Sequence, residues 1–182
     1  MSASSDLLLV QRAAGGDVGA FELLVRRYQL RVVRVCVRML GDRHAAEDAA
    51  QDVFLVVWRS MGRFRGDAKF STWLYRIATN RCLRELRRRP APTSELPQGL
   101  AATEGIPHLA VEAAEGLAAV GAAMGRLSLD QRVPLLLREV EGLPYDQIAE
   151  VLGVSVAAVK SRIYRARVEV ARDLGARNGA RG

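Results

Sequence analysis

The stretch Tyr145-Asp-Gln-Ile-Ala-Glu-Val-Leu-Gly-Val-Ser-Val-Ala-Ala-Val-Lys-Ser-Arg-Ile-Tyr-Arg165 decides how the C-terminal part of the chain folds. Ala149 is small where two helices must cross closely, Gly153 accepts the positive φ of a tight turn, and Ser155 offers a side-chain oxygen to the free N–H groups of a second helix. Ile148, Leu152, Val159 and Ile163 recur so that both helices share one apolar seam. The pattern is a helix-turn-helix. With Val159, Ile163, Ala166 and Val170 inward, the opposite face carries Ala158, Ser161, Arg162 and Arg165, the face that would enter a major groove. Lys160 and Tyr164 lie at its border, within reach of phosphates or thymine methyl groups, and the helical wheel ranks Arg162 above Lys160. The preceding helix starts after Ser128, with Pro134 expected in its first turn or as a kink.

Working outward, charge divides the 182 residues into three parts. Residues 1–89 carry a net +8, residues 90–125 a net −4 and residues 126–182 a net +3. The middle part opens Pro-Ala-Pro-Thr-Ser-Glu-Leu-Pro-Gln-Gly, a composition that holds no regular element, so residues 92–112 are expected to link an N-terminal domain, 1–91, to a C-terminal one, 113–182. Alternating strand patterns are absent and 3.6-residue periodicity is frequent. The chain therefore reads as all-α, two small helical domains joined by a flexible linker. Its cations are 25 Arg and 2 Lys, and guanidinium groups fork onto phosphates and stack on bases, which makes nucleic acid the first partner to expect.

In the N-terminal domain, Asp17 is placed to cap a long helix whose Phe21, Leu24, Tyr28, Val32, Val35 and Met39 recur at spacings of three and four, ending at Gly41. Asp42 then caps a second helix with Ala46, Ala50, Val53, Val57 and Met61 inward. Its opposite face presents Asp48, Gln51, Asp52, Leu55 and Arg59. A leucine flanked by aspartates on an otherwise basic domain reads either as a docking surface for a basic, partly apolar partner or as an ordinary solvated face. A loop, Arg63-Phe-Arg-Gly-Asp-Ala-Lys-Phe70, follows, and Ser71 is placed to cap the next helix, which Pro90 stops. There Leu74, Ala78, Cys82 and Leu86 repeat inward, while Trp73, Arg76, Asn80, Arg84 and Arg87 form an outward row. A cationic row ending in an indole, beside Phe64 and Phe70, suits single-stranded nucleic acid; the alternative is a solvated arginine face with the aromatics in the core.

Composition and motifs also exclude. No apolar run approaches the roughly 18 residues of a membrane span, and the N-terminus lacks the basic and apolar regions of a signal peptide, which places the chain in the cytoplasm. Two cysteines, Cys36 and Cys82, each in an apolar-periodic stretch, make neither a disulfide framework nor a four-cysteine metal site and read as core thiols. His44 and His108 have no matching ligand set, and phosphate-loop, His-Glu-x-x-His and Cys-x-x-Cys motifs are missing. No cofactor, no metal and no enzyme activity are expected. An autonomous helix-turn-helix regulator, dimeric on a palindrome, is the rival reading, but the chain has no heptad run for dimerisation.

Taken together these residues resemble the extracytoplasmic-function sigma factors, the small two-domain class of the sigma-70 family. Ala46-Glu-Asp-Ala-Ala-Gln-Asp-Val-Phe54 with Trp58 resembles region 2.2, which binds the clamp helices of bacterial core RNA polymerase. Phe64-Arg-Gly-Asp-Ala-Lys-Phe-Ser-Thr-Trp-Leu-Tyr-Arg-Ile-Ala-Thr-Asn80 resembles the segment that opens and reads the minus-ten element, and Leu129 through Leu174 resembles region 4, which reads the minus-thirty-five element. The resemblance implies that Asp48, Gln51, Asp52 and Leu55 dock on core polymerase. It further implies that Arg65, Asp67, Lys69 and Phe70 form a loop capturing a flipped base, with Trp73, Arg76, Asn80 and Arg84 beside it on promoter DNA. Lys160, Ser161, Tyr164 and Arg165 take the family's upstream contacts, so resemblance and wheel disagree over Arg162. Arg84 stands where many members have Asp, and Ala157-Ala158 where many have Gly-Thr, so promoter preference does not transfer. The resemblance also implies an anti-sigma factor as partner.

Overall fold

In a computed structural model, residues 3–88 and 109–179 are described, and among them every regular element is helical. The N-terminal body holds α1 (Ala3–Ala14), α2 (Val18–Leu40), α3 (Arg43–Ser60), a 3-10 turn (Met61–Arg63) and α4 (Phe70–Arg88). The C-terminal body holds α5 (Leu109–Arg126), α6 (Leu129–Glu139), α7 (Tyr145–Leu152) and α8 (Val156–Gly179). The expected linker falls mostly outside the described residues, and α5 already begins at Leu109, inside it.

The caps follow the sequence closely. Asp17 accepts from the Ala20 N–H at 3.0 Å and Asp42 from the Ala45 N–H at 2.9 Å, while Gly41 closes α2 at φ +70°. Ser71 departs from expectation. The helix opens two residues earlier, with the Lys69 carbonyl accepting from the Trp73 N–H, because Phe70 is drawn into the core and carries its backbone into the first turn. Pro134 lies inside α6, past its first turn, which removes the first of its two expected placements. Ahead of it, both the N–H and the hydroxyl of Ser128 donate to Gln131 Oε1, at 3.3 and 2.7 Å.

α2, α3 and α4 pack on one another around Leu24, Val32, Val53, Val57, Leu74 and Ala78, all buried. Cys36 and Cys82 meet in this core as free thiols; their mutual hydrogen bond, with burial, pushes the Cys36 thiol well above the usual cysteine range. Helix α1, which periodicity did not single out, lies on α2. Its Asp6 carboxylate accepts from Arg27 and from the Tyr28 hydroxyl, and burial and that hydrogen bond hold the phenol protonated far above its ordinary range. In the C-terminal body Ile148, Val159, Ile163 and Ala166 form the shared seam, and Val151 is buried while Leu152 is only partly so. Helix α8 runs on to Gly179, and Arg126 of α5 pairs with its Asp173.

Candidate nucleic-acid interface

Three surfaces carry the residues singled out by sequence. On α3, Asp48, Gln51, Leu55 and Arg59 are exposed, Leu55 at 52%. Asp52 differs. Its carboxylate accepts from Arg81 on α4 at 2.9 Å, and Arg81 also reaches Glu85 at 3.0 Å. Gln51 and Leu55 form one wall of an apolar groove of about 740 Å³ between α2 and α3, floored by Phe21, Phe54 and Trp58. The Phe21 and Trp58 rings lie 4.8 Å apart. The groove went unread in sequence because Phe21 fits the inward stripe of α2, and only the packing of α2 on α3 leaves its ring half-buried at the surface.

The second surface is the loop before α4 and the outward row of that helix. Arg65, Asp67 and Lys69 are exposed, and Gly66 turns the loop at φ +80°, with Leu7 of α1 3.7 Å from where a Cβ would stand. Arg76, Asn80 and Arg84 project to solvent beside it. Phe70 does not join them. It is buried in an aromatic cluster, 5.4 Å from the Tyr28 ring, 6.1 Å from Phe64 and 6.0 Å from Trp73, edge-on or tilted. Edge contacts of this kind stabilise beyond the area they bury. Trp73 is half-buried, its ring tilted against Phe64 at 5.2 Å. Of Phe64, Phe70 and Trp73, Phe70 follows the core alternative.

The third surface is the helix-turn-helix. Gly153 takes φ +66°, and the Ser155 hydroxyl oxygen accepts from the Ala158 N–H at 3.2 Å, as the pattern requires. Lys160, Ser161, Tyr164 and Arg165 are exposed, Tyr164 at 70%. Arg162 turns away from that face. Its Nη2 lies 3.6 Å from Asp130 of α6 and its side chain is three-quarters covered. Lys160 is thus the more exposed of the two: α6 lies beside that edge of α8 and supplies a carboxylate the wheel does not contain. Lys160 Nζ rests 5.8 Å from the centroid of the Tyr145 ring, whose other cation is Arg138 at 4.8 Å.

Sequence reasoning missed one stripe of α4. Thr72, Tyr75 and Thr79 lie between the inward and outward rows and are all buried, Tyr75 at 1%. Polar side chains on a helix read as solvent-facing, and their burial follows only from the packing of α7 on α4. Among the described residues no cluster of His, Cys, Asp or Glu suits a metal ion, and no helix is long and apolar enough to cross a membrane.

A helix-turn-helix with an exposed basic face, following a basic helical bundle that bears an apolar groove, defines a modular DNA-binding protein. Residues 24–90 match sigma-70 region 2 and residues 117–170 match sigma-70 region 4. The chain is 40% identical to the RNA polymerase sigma-H factor of Pseudomonas aeruginosa, over 92% of each chain. It is 34% identical to the ECF RNA polymerase sigma-E factor of Escherichia coli K12, covering 90% of this chain and 91% of that one. Among solved structures, CnrH in complex with the cytosolic domain of CnrY superposes with a TM-score of 0.75 at 28% identity, covering 94% of this chain and 98% of that one. The chain belongs to the sigma-70 family, as a sigma factor of the extracytoplasmic-function class.

Proposed function

We propose a division of labour among the three surfaces of this sigma factor. The acidic and apolar face of α3, through Asp48, Gln51 and Leu55, docks on core RNA polymerase. The observation that carries this reading is the continuity of Leu55 and Gln51 with the Phe21–Phe54–Trp58 groove, an apolar site rimmed by acid on a domain that is otherwise strongly basic. Asp52 contributes chiefly through its pairing with Arg81, which ties α3 to α4.

The loop residues Arg65, Asp67 and Lys69, with Arg76, Asn80 and Arg84, engage the minus-ten element as its strands part. Exposed cations meet the phosphates of the separated strand, and Asn80 is free to read a base edge. Phe70 anchors the loop from inside. Trp73, tilted against Phe64 and Phe70, keeps part of its indole exposed for contact with an unstacked base. In the C-terminal body Lys160, Ser161, Tyr164 and Arg165 read the upstream element from the major groove, and Arg162 braces α8 against α6.

RNA synthesis itself belongs to the polymerase, and this chain supplies promoter choice and strand opening, working in the cytoplasm where the chromosome lies. The likeness to CnrH bound to the cytosolic domain of CnrY supports control by a protein partner of the anti-sigma kind. In vitro transcription with purified bacterial core polymerase on a promoter library tests the whole. Transcripts sharing a two-element motif only when the protein is added are expected; a tight shift of duplex DNA by the protein alone, without initiation, would return the autonomous regulator.

A further inference from the structure

Helix α1 carries none of the residues assigned to the three surfaces, yet it reaches the loop before α4 at two points. Leu9, Val10 and Ala13 form its buried face and seat it on α2. Leu7 stands beside that face, 45% exposed, with its Cδ1 3.7 Å from where a Cβ at Gly66 would be, so it lies against the turn of the loop. Gly66 holds φ +80° at this point, a conformation that favours a residue without a Cβ.

The second point runs through Tyr28. An aspartate in the first turn of a helix, as Asp6 is in α1, ordinarily keeps its carboxylate in water while favouring the helix N-terminus. Here the side chain is only 16% exposed, and it accepts from Arg27 and from the Tyr28 hydroxyl. The buried Tyr28 ring meets Phe70 edge-on at 5.4 Å, and Phe70 meets Phe64 at 6.1 Å. Phe64 and Phe70 flank residues 65–69, so these two rings close the base of the loop. Ring contacts are satisfied over a range of offsets, whereas a charge-assisted hydrogen bond is short and directional. Because the apolar face of α1 already seats it on α2, the Asp6 carboxylate adds direction: it fixes how the Tyr28 ring lies against Phe70.

We propose that α1 is a positioning element for minus-ten recognition: Asp6, through the Tyr28 hydroxyl and the Phe70 ring, and Leu7, against Gly66, hold residues 65–69 in the shape that captures a base. The inference rests on the reading of that loop as a minus-ten contact. Asp6, Leu7 and Tyr28 act through the loop and not on DNA. A recognition loop has to be held within about 0.5 Å of its productive geometry by side chains that are themselves locked. Specificity is a difference between two affinities, and a loop free to shift gives up contacts with the correct base and accommodates the wrong one. Loosening the support should therefore flatten the preference more than it weakens docking on core polymerase.

The test is in vitro transcription by the full chain with purified core polymerase on a library of minus-ten variants, with core affinity and melting temperature measured on the same preparations. Tyr28→Phe keeps the ring and deletes the hydroxyl, Asp6→Ala deletes the carboxylate, and Leu7→Ala shortens an exposed side chain. Each should lower the preference for the best over the second-best base at the position the loop reads by at least threefold, with core affinity and upstream-element preference within twofold of the parent. Asp17→Ala removes the cap of α2 without touching the loop. It should lower the melting temperature and leave the preference unchanged. An equal loss of preference with Asp17→Ala would reduce α1 to a stabilising role and overturn the proposal, as would unaltered preference in all three variants. If Lys69→Ala shifts the preference while those three do not, the loop reading stands and the positioning role falls. If none of Arg65→Ala, Asp67→Ala and Lys69→Ala moves it, the loop reading falls and takes the positioning role with it.

Discussion

The guanidinium of Arg81 on α4 bridges two carboxylates, with Asp52 of α3 2.9 Å away and Glu85, one turn further along α4, 3.0 Å away. One aspartate of the docking face is thus tied into the bundle while the other, Asp48, stands free in solvent. Each carboxylate also keeps the Arg81 guanidinium charged, by hydrogen bonding and by charge, with Glu85 the larger influence.

The two aspartates should therefore fail differently. Asp48→Lys is expected to weaken binding to core polymerase tenfold or more while the melting temperature stays put. Asp52→Lys should weaken core binding and also destabilise the fold by about 1 kcal/mol, the upper range for a half-exposed pair, because the new ammonium faces Arg81. Thermal unfolding beside a core-binding titration distinguishes them, and equal destabilisation by both would remove the docking role.

On α8, Arg165→Ala should lower affinity for the upstream element by about 1–3 kcal/mol, roughly tenfold or more, if it grips a base. Lys160→Ala should act more uniformly across sequences and reduce the salt dependence of binding by about one ion. Arg162→Ala is expected to change affinity by less than threefold, because its guanidinium faces Asp130. A salt titration of binding to a promoter fragment checks all three, and a large loss with Arg162→Ala would restore the ranking of the helical wheel.

The loop separates structure from recognition within two adjacent residues. Phe70→Ala removes a buried ring from the cluster of Tyr28, Phe64 and Trp73 and should cost about 3–5 kcal/mol of stability. Lys69→Ala, at an exposed site, should stay within about 0.5 kcal/mol of the parent. Lys69→Ala and Asn80→Ala should instead shift minus-ten preference in a promoter library while core binding and upstream binding hold. Unchanged preference with both would mean that the face is only solvated.

Asp17 gives a pH dependence with a definite sign. The Ala20 N–H, then Arg12, hold its carboxyl below the usual aspartate value of 3.8. A group depressed in the folded state contributes stability that is present above its unfolded pKa and is lost as pH falls through the folded one. The cap of α2 should therefore weaken only below about pH 4. In Asp17→Asn, which keeps the capping oxygen, that part of the acid loss should vanish; melting curves from pH 2 to 7 report it.

Much of this was legible before any coordinates. The caps at Asp17, Asp42 and Ser155 and the turns at Gly41 and Gly153 are local matters, settled within four residues by backbone hydrogen bonding and by the freedom of glycine at positive φ. The buried stripes of α2, α3 and α4 followed from helical periodicity. The exposed residues Asp48, Gln51, Leu55, Arg76, Asn80, Lys160 and Arg165 also stand where spacing put them.

What the chain alone determined is the run of helices α2–α4 and α6–α8, their apolar faces and the basic, helix-turn-helix character that marks a sigma factor, because each is written in residues three or four apart. Only tertiary structure decided which polar side chains those faces would meet. Arg162 turned to Asp130, Asp52 to Arg81, Phe70 to Tyr28, and Tyr75 to Glu141, sixty-six residues away. A helical wheel knows its own helix and water, and each of these outcomes depended on a neighbouring helix taking the place of water.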